Sequence, residues 1–118
     1  MHSQLELLLE IQDLQAQRRA LALEPNRDIE ADVFALSPDE AVRRLDERIE
    51  EVADRLETAV GARWRELTGS VDRAVAPVID GICYGCFVAV PTSWSAEAQR
   101  NDRLDVCETC GRFLYYLD

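Results

Sequence analysis

Two short stretches near the end of the chain, "GICYGC" at residues 81–86 and "DVCETCGR" at residues 105–112, hold all four cysteines of this 118-residue protein. Each stretch contains a Cys-x2-Cys pair, and twenty residues lie between the pairs. The two thiolates of such a pair can occupy two corners of one tetrahedron around a zinc ion, at a Zn–S distance of ~2.3 Å. Two pairs complete a four-thiolate shell, and their spacing is typical of structural zinc sites.

Three other uses of the cysteines are weighed against zinc. Disulfides need an oxidising compartment, and they are disfavoured here because a cytoplasmic location is expected, where thiols stay reduced. A redox Cys-x2-Cys needs one pair in a strand–helix unit of thioredoxin type, and iron–sulfur clusters favour different spacings. The favoured prediction is one zinc ion, and its ligands are Cys83, Cys86, Cys107 and Cys110. Because four protein ligands leave no coordination position for water, this zinc is expected to be structural.

Short β-branched and aromatic runs surround the cysteines. "FVAVP" at 87–91, "RLDVC" at 103–107 and "RFLYYLD" at 112–118 predict strands. The intervening "PTSWSAEAQRND" predicts a short helix or loop, with Trp94 either a lid over the core or a stacking platform. Residues 71–118 are therefore predicted to form a C4 zinc ribbon, in which the metal supplies much of the folding free energy.

The N-terminal segment predicts an amphipathic helix over about residues 3–24. Its apolar stripe, with one arginine in it, comprises Leu7, Ile11, Leu14, Arg18 and Leu21. This 4-3-4-3 spacing is that of a coiled-coil seam. Pro25 ends the helix because proline disfavours helical geometry in the residue before it.

A second helix is predicted over about residues 38–68. Ser37 as N-cap, Pro38 in the first helical position and Glu40 form a capping box, and Gly69 suits the helix end. The seam comprises Val42, Leu45, Ile49, Val52, Leu56, Ala59, Arg63 and Leu67. The predicted fold class is α+β, mainly α: an antiparallel two-helix coiled-coil hairpin in residues 1–70, followed by the ribbon in residues 71–118.

Charge and composition restrict the function. The net charge is −10, and all 13 basic residues are arginine, so long-range repulsion disfavours nucleic acid as a partner. The sequence predicts no signal peptide and no membrane-spanning segment. We therefore expect a cytoplasmic location and no membrane partner. His2 is the only histidine, and no nucleophile–base constellation is evident, so an enzyme is not expected.

The motifs at both ends carry a family resemblance. "RAVAPVIDGICYGCFVAVP", "LDVCETCGRFLYYLD" and the opening "LLLEIQDLQAQRRAL" resemble the bacterial coiled-coil proteins with a C-terminal four-cysteine zinc ribbon. The coiled coil of this chain is shorter than is usual in that family. The resemblance implies a non-enzymatic adaptor or chaperone for a protein partner, in secretion or flagellar assembly or in gene regulation.

Two other functions are alternatives. An acidic-tipped hairpin on a four-cysteine module also resembles the DksA/TraR type of transcription regulator, which implies RNA polymerase as the partner and Asp28, Asp32 and Asp39 as contacts. The other is binding of single-stranded nucleic acid by ribbon aromatics and arginines. The second helix is longer than the first, so part of its seam is expected to meet either the C-terminal module or a second copy of the chain in a homodimer.

The candidate partner-binding residues lie in the hairpin tip and in the ribbon. They are Asp28, Asp32, Phe34, Asp39, Trp94 and Arg112. A wider contact face on the ribbon would add Tyr84, Arg100, Arg103, Tyr115 and Tyr116.

Overall fold

The computed structural model describes residues 1–23 and 38–117. Its helices are α1 (Ser3–Leu23), α2 (Pro38–Ala53), α3 (Thr58–Thr68) and α4 (Thr92–Ala96), with a 3-10 turn at Arg100–Asp102. Its strands are β1 (Val75–Ile79), β2 (Ile82–Cys83), β3 (Val88–Ala89) and β4 (Phe113–Tyr116). The predicted class, α+β and mainly α, is confirmed. The predicted cap residue Ser37 and most of the hairpin tip lie outside the described residues.

Helices α1 and α2 lie antiparallel. Glu10 near the start of α1 pairs with Arg48 late in α2, and Arg18 near the end of α1 pairs with Asp46. These ion pairs are exposed and screened by solvent, so they contribute little to stability. The apolar interface therefore stabilises the helix pair. That interface buries Leu5, Leu8, Ile11, Ile49 and Val52.

The buried face of α1 lies within the predicted stripe, which Leu5, Leu8, Leu9 and Leu23 widen, but its centre is shifted. Leu5 and Leu8 are fully buried, whereas Leu7 and Leu14 are only partly buried at the edge of the same core. Leu5, Leu8 and Ile11 follow an i, i+3 spacing and lie in one core with residues of α2 and of the C-terminal module. The buried face of α1 therefore packs against two neighbours and not against one partner helix. The coiled-coil heptad remains a prediction.

The prediction of one continuous helix over 38–68 is wrong, because the helix breaks at residues 54–57 between α2 and α3. The break contains neither proline nor glycine. A side chain of α1 holds it: the Oε1 atom of Gln4, a residue only 6% exposed, accepts the Glu57 backbone N–H at 2.7 Å. Gln4 thereby satisfies a backbone donor at the start of α3 that has no partner within the helix.

The break rotates the buried face of the following helix. Of the predicted seam in this helix, Ala59 and Arg63 are exposed and Leu67 is buried. Trp64, which the predicted seam did not include, is also buried. Trp64 and Leu67 belong to a core that also contains Val75 and Phe113 of the sheet. Helix α3 therefore leaves the line of the hairpin to cover the C-terminal module.

A four-stranded sheet in the order β3-β2-β1-β4 forms that module. β1 pairs antiparallel with β2 and parallel with β4, with Val75 opposite Phe113 and Ala76 opposite Leu114. Side chains alternate between the faces of a strand. Val75 and Phe113 therefore enter the helical core, while Ala76 and Leu114 enter a second core beside the cysteines.

The predicted strands are partly corrected. The run at 103–107 contributes only an isolated bridge from Val106 to Phe113, and the strand after the first cysteine pair is reduced to Val88–Ala89. Central strand β1 was not predicted. In the described ranges, no helix combines the length and apolar character needed to cross a membrane.

Candidate metal centre

Four sulfur atoms converge between the two turns that carry the cysteine pairs. The Sγ atoms of Cys83, Cys86, Cys107 and Cys110 all lie within 4.8 Å of one another. Across the two turns, Cys83 Sγ lies 3.9 Å from Cys110 Sγ, and Cys86 Sγ lies 3.7 Å from Cys107 Sγ. A regular tetrahedron with Zn–S bonds of ~2.3 Å has S–S edges of ~3.8 Å. The spacing therefore fits one four-coordinate zinc ion and excludes disulfide bonds.

The backbone around each cysteine pair is arranged for charged sulfur. The N–H groups of Gly85 and Cys86 point at the Cys83 sulfur, and the N–H of Arg112 points at the Cys110 sulfur. In each turn the residue after the second cysteine donates back to the first cysteine's carbonyl: Phe87 to Cys83 at 2.7 Å, and Gly111 to Cys107 at 3.0 Å. Both turns are thus zinc knuckles of the same form.

The free thiols differ in acidity. Burial raises the pKa of Cys83 to about 12, and burial also raises the pKa of Cys86. Burial acts in the same direction on Cys110, but hydrogen bonds from the backbone and side chain of Arg112, together with those from Cys107 and Cys86, outweigh it and lower the Cys110 pKa to about 7. Zinc binding must therefore displace protons from the buried thiols, which couples zinc affinity to pH.

The predicted partner-binding residues do not form one site. Asp28, Asp32 and Phe34 lie outside the described residues, and Asp39 is exposed in the first turn of α2. Trp94 lies half-buried against the ribbon core beside the cysteines. Arg112 follows the second cysteine pair, and its Nε donates to the Arg73 carbonyl at 3.0 Å.

Part of the wider contact face predicted on the ribbon is wrong. Tyr116 is buried, and its hydroxyl donates to Asp105 Oδ2 at 2.7 Å. Arg103 forms ion pairs with Glu97 and Asp105. These side chains connect parts of the ribbon, so they are not available as a free surface.

Two exposed residues were missed by the sequence reasoning. Phe87 is 70% exposed and Val88 is 42% exposed. Val88 pairs across the strands with Cys83, the residue before Tyr84, which is 45% exposed. The rings of Tyr84 and Phe87 meet edge to face, with centroids 5.5 Å apart. We call Tyr84, Phe87 and Val88 the knuckle patch. The sequence feature that could have indicated this patch is the aromatic residue directly after Cys86.

Phe87 also has an unusual backbone. Its φ is +62°, a left-handed conformation that the equivalent residue of the other knuckle, Gly111, adopts with a φ of +78°. Glycine adopts this region freely, whereas a bulky side chain is disfavoured there. Phe87 therefore carries both a backbone cost and the cost of an exposed aromatic ring.

Comparison with known proteins identifies the module. Residues 82–114 match the family model of the C4-type zinc ribbon domain. With the four sulfur atoms grouped as described, the chain carries a C4-type zinc ribbon with a site for one structural zinc ion. A search of curated proteins finds no match.

Among solved structures, CT398 from Chlamydia trachomatis is similar, with 24% sequence identity and a TM-score of 0.54. The match covers 76% of this chain and 38% of that chain. The present chain therefore spans well under half of the length of CT398. At this level of identity the likeness shows a shared fold alone.

Proposed function

We propose that this protein is a non-enzymatic zinc-ribbon adaptor that binds a protein partner through the knuckle patch. The observation that carries the proposal is Phe87, an aromatic side chain that is 70% exposed on a left-handed backbone. Residues held in such conformations concentrate at functional sites. An exposed aromatic cluster on a small rigid module is also a common form of protein interaction site.

The distribution of exposed apolar side chains supports the same surface. The large exposed hydrophobic residues of the described ranges are Met1, Tyr84, Phe87, Val88 and Leu117. Three of them form the knuckle patch, and none lies in helices α1, α2 or α3. A partner would therefore meet mainly charged groups on the described part of the helical hairpin, whereas on the ribbon it would meet the apolar side chains of the knuckle patch.

Zinc has a positioning role in this proposal. Tyr84 lies between the ligands Cys83 and Cys86, and Phe87 follows Cys86 directly. Metal coordination therefore fixes the backbone from which both rings project. A preorganised surface loses less conformational entropy on binding than a flexible one.

The proposal is tested by affinity capture with the intact chain and with Phe87→Asn, which removes the ring and keeps a residue that tolerates left-handed backbone. The captured protein is purified, and its affinity is measured by calorimetry. We expect Phe87→Asn to weaken binding at least about tenfold, as for a central aromatic anchor. Leu117→Ser is the matched control, since Leu117 follows strand β4 at the opposite edge of the sheet from β3 and is 55% exposed.

Two results would contradict the proposal. One is equal affinity of the intact chain and Phe87→Asn for the purified partner. The other is capture of RNA polymerase that is lost only when Asp28, Asp32 and Asp39 are neutralised, which would favour the transcription regulator acting through the hairpin tip.

A further inference from the structure

A surface groove of about 490 Å³ opens beside the knuckle patch, where the linker from the hairpin enters the sheet. It is lined by Asp72, Arg73, Val75, Ala76, Pro77, Tyr84, Gly85 and Arg112. Tyr84 belongs to both the groove and the knuckle patch, so the two surfaces are continuous. We call this the arginine groove.

The two arginines of the groove have no carboxylate partner among the described residues. Elsewhere in the described ranges Arg18, Arg48 and Arg65 each pair with an acidic side chain. Asp72 also lines the groove but forms no ion pair with Arg73 or Arg112. Arg19, Arg55, Arg63 and Arg100 likewise form no ion pair among the described residues, so what distinguishes the groove is that it brings two guanidinium groups to one place in a chain with a net charge of −10. The Arg112 side chain also donates to the Cys110 sulfur.

Arg112 is held in position before any ligand arrives. Its Nε donates to the Arg73 carbonyl at 3.0 Å, and its side chain crosses Gly85 so closely that a Cβ there would lie 2.7 Å from Arg112 Cδ and 2.9 Å from Arg112 Nη1. Glycine at 85 is therefore required for this arrangement. This hydrogen bond connects the segment before β1 to the second zinc knuckle, and it brings both arginines to the same groove.

We propose that the arginine groove binds the carboxylates of an acidic segment in the protein partner, while an apolar side chain of that segment contacts the knuckle patch. Guanidinium groups bind carboxylates through paired, charge-assisted hydrogen bonds. This inference rests on the proposed function, because it assigns the chemistry of the partner that the adaptor binds. It places the charged and apolar contacts side by side on one face.

An acidic peptide fits this face better than a nucleic acid does. A nucleic-acid strand needs a row of cations along its backbone, whereas the groove offers two arginines at one place. Successive bases also stack on aromatic faces, whereas the Tyr84 and Phe87 rings lie at 64° to each other. Two arginines beside an aromatic and aliphatic patch match a short segment that alternates acidic and apolar residues.

The test uses the zinc-loaded full chain and a fluorescein-labelled peptide of alternating glutamate and leucine, followed by fluorescence anisotropy. We expect saturable binding that weakens with salt, and no comparable binding of the matched glutamine–leucine peptide. Arg73→Gln and Arg112→Gln should each weaken binding about tenfold, the effect of losing one charge-assisted contact. Arg55→Gln is the matched control, since Arg55 is exposed at the helix break.

Further variants separate a positioning effect from a charge effect. Gly85→Ala keeps every charge but displaces Arg112, so it should weaken peptide binding like Arg112→Gln. Since Arg112 and Gly85 lie beside zinc ligands, the zinc content of each variant is measured. Arg73 is exposed and is not adjacent to a ligand in sequence, so Arg73→Gln provides a test that does not depend on the metal site.

Several outcomes would overturn the inference. They are no binding of the acidic peptide, binding that Arg73→Gln leaves unchanged, and tighter binding of a labelled mixed-sequence single-stranded RNA than of the peptide. The proposed function fails separately. If the purified partner binds the intact chain and the arginine variants equally but is lost with Phe87→Asn, the adaptor function holds and only the arginine groove is wrong.

Discussion

Phe87 and Gly111 show how two residues meet the same backbone requirement. Each follows the second cysteine of its knuckle, and each has a positive φ. The spacing of the cysteines predicted the zinc ligands, because ligand geometry depends on local spacing. It did not predict Phe87 as a contact residue, since exposure and a left-handed φ depend on how the knuckle folds around the metal.

Replacing Phe87 with glycine is expected to leave the zinc-loaded protein as stable as the wild type or up to about 1 kcal/mol more stable. Relief of the left-handed strain favours the folded state, and the added chain entropy of glycine offsets part of it. Urea unfolding of the zinc-loaded protein measures the change. Gly111→Ala is the control and should destabilise. A clear loss of stability in Phe87→Gly would contradict this account.

Tyr116 is expected to make the folded protein less stable as the pH becomes alkaline. Burial raises the pKa of its phenol above the ordinary value of 10.0, and the hydrogen bond to Asp105 raises it further, against the opposing effect of Arg103. The Arg100 guanidinium also lies over the ring. Since the folded pKa is raised, the stability contributed by the neutral phenol is complete below about pH 10 and is lost as the pH rises above that value.

Tyr116→Phe is therefore expected to cost about 1–2 kcal/mol at neutral pH, through the lost hydrogen bond. It should also reduce the fall in stability as the pH rises above about 10. Urea unfolding across this range, with zinc present, measures both effects. Tyr115→Phe is the matched control, because no hydrogen bond to the Tyr115 hydroxyl is seen among the described residues. Parallel pH curves for wild type and Tyr116→Phe would contradict the assignment.

The helix break shows which elements local sequence can predict. The start at Pro38 and the end beside Gly69 were predicted, because capping residues act within one turn. The break at 54–57 depends on Gln4, which lies far away in sequence. Strand β1 was missed for a related reason: Pro77 lacks an N–H and argues against a central strand, and only pairing with β2 and β4 makes the segment a strand.

Gln4→Leu is expected to destabilise the protein by about 1–3 kcal/mol, because the Glu57 N–H loses its acceptor in a partly buried place. Urea unfolding followed by helical circular dichroism measures the change. Gln17→Leu on the same helix is the control, since Gln17 is exposed and bonds only to Asp13 on its own helix. Equal effects of the two substitutions would show that the break does not depend on Gln4.

Across the whole molecule, the hairpin and the ribbon share a core. Trp64 is 4% exposed and packs with Val75 and Phe113, which lie on the strands that the zinc site stabilises. Helix α3 should therefore respond to the metal, although it contributes no ligand. Helices α1 and α2 have their own apolar interface and should persist without zinc.

Removal of zinc is expected to unfold the ribbon and expose Trp64. In a Trp94→Phe background the remaining tryptophan emission should shift to longer wavelength on strong chelation or in Cys107→Ser, while most of the helical circular dichroism remains. Re-addition of zinc after chelation is the control and should restore the emission. Unchanged Trp64 emission in a ribbon that has lost its tertiary structure would show that the two parts are independent.

Both faces of the sheet are packed in apolar cores, which limits the transfer of this ribbon to other proteins. Its inner strands place Val75 and Phe113 on one face and Ala76 and Leu114 on the other. A ribbon cut out and grafted onto an unrelated protein would keep its metal ligands but present a bare apolar face. Such a graft is thus expected to need other apolar side chains in place of α1 and α3, because α1 lies at the opposite end of the sequence from the ribbon.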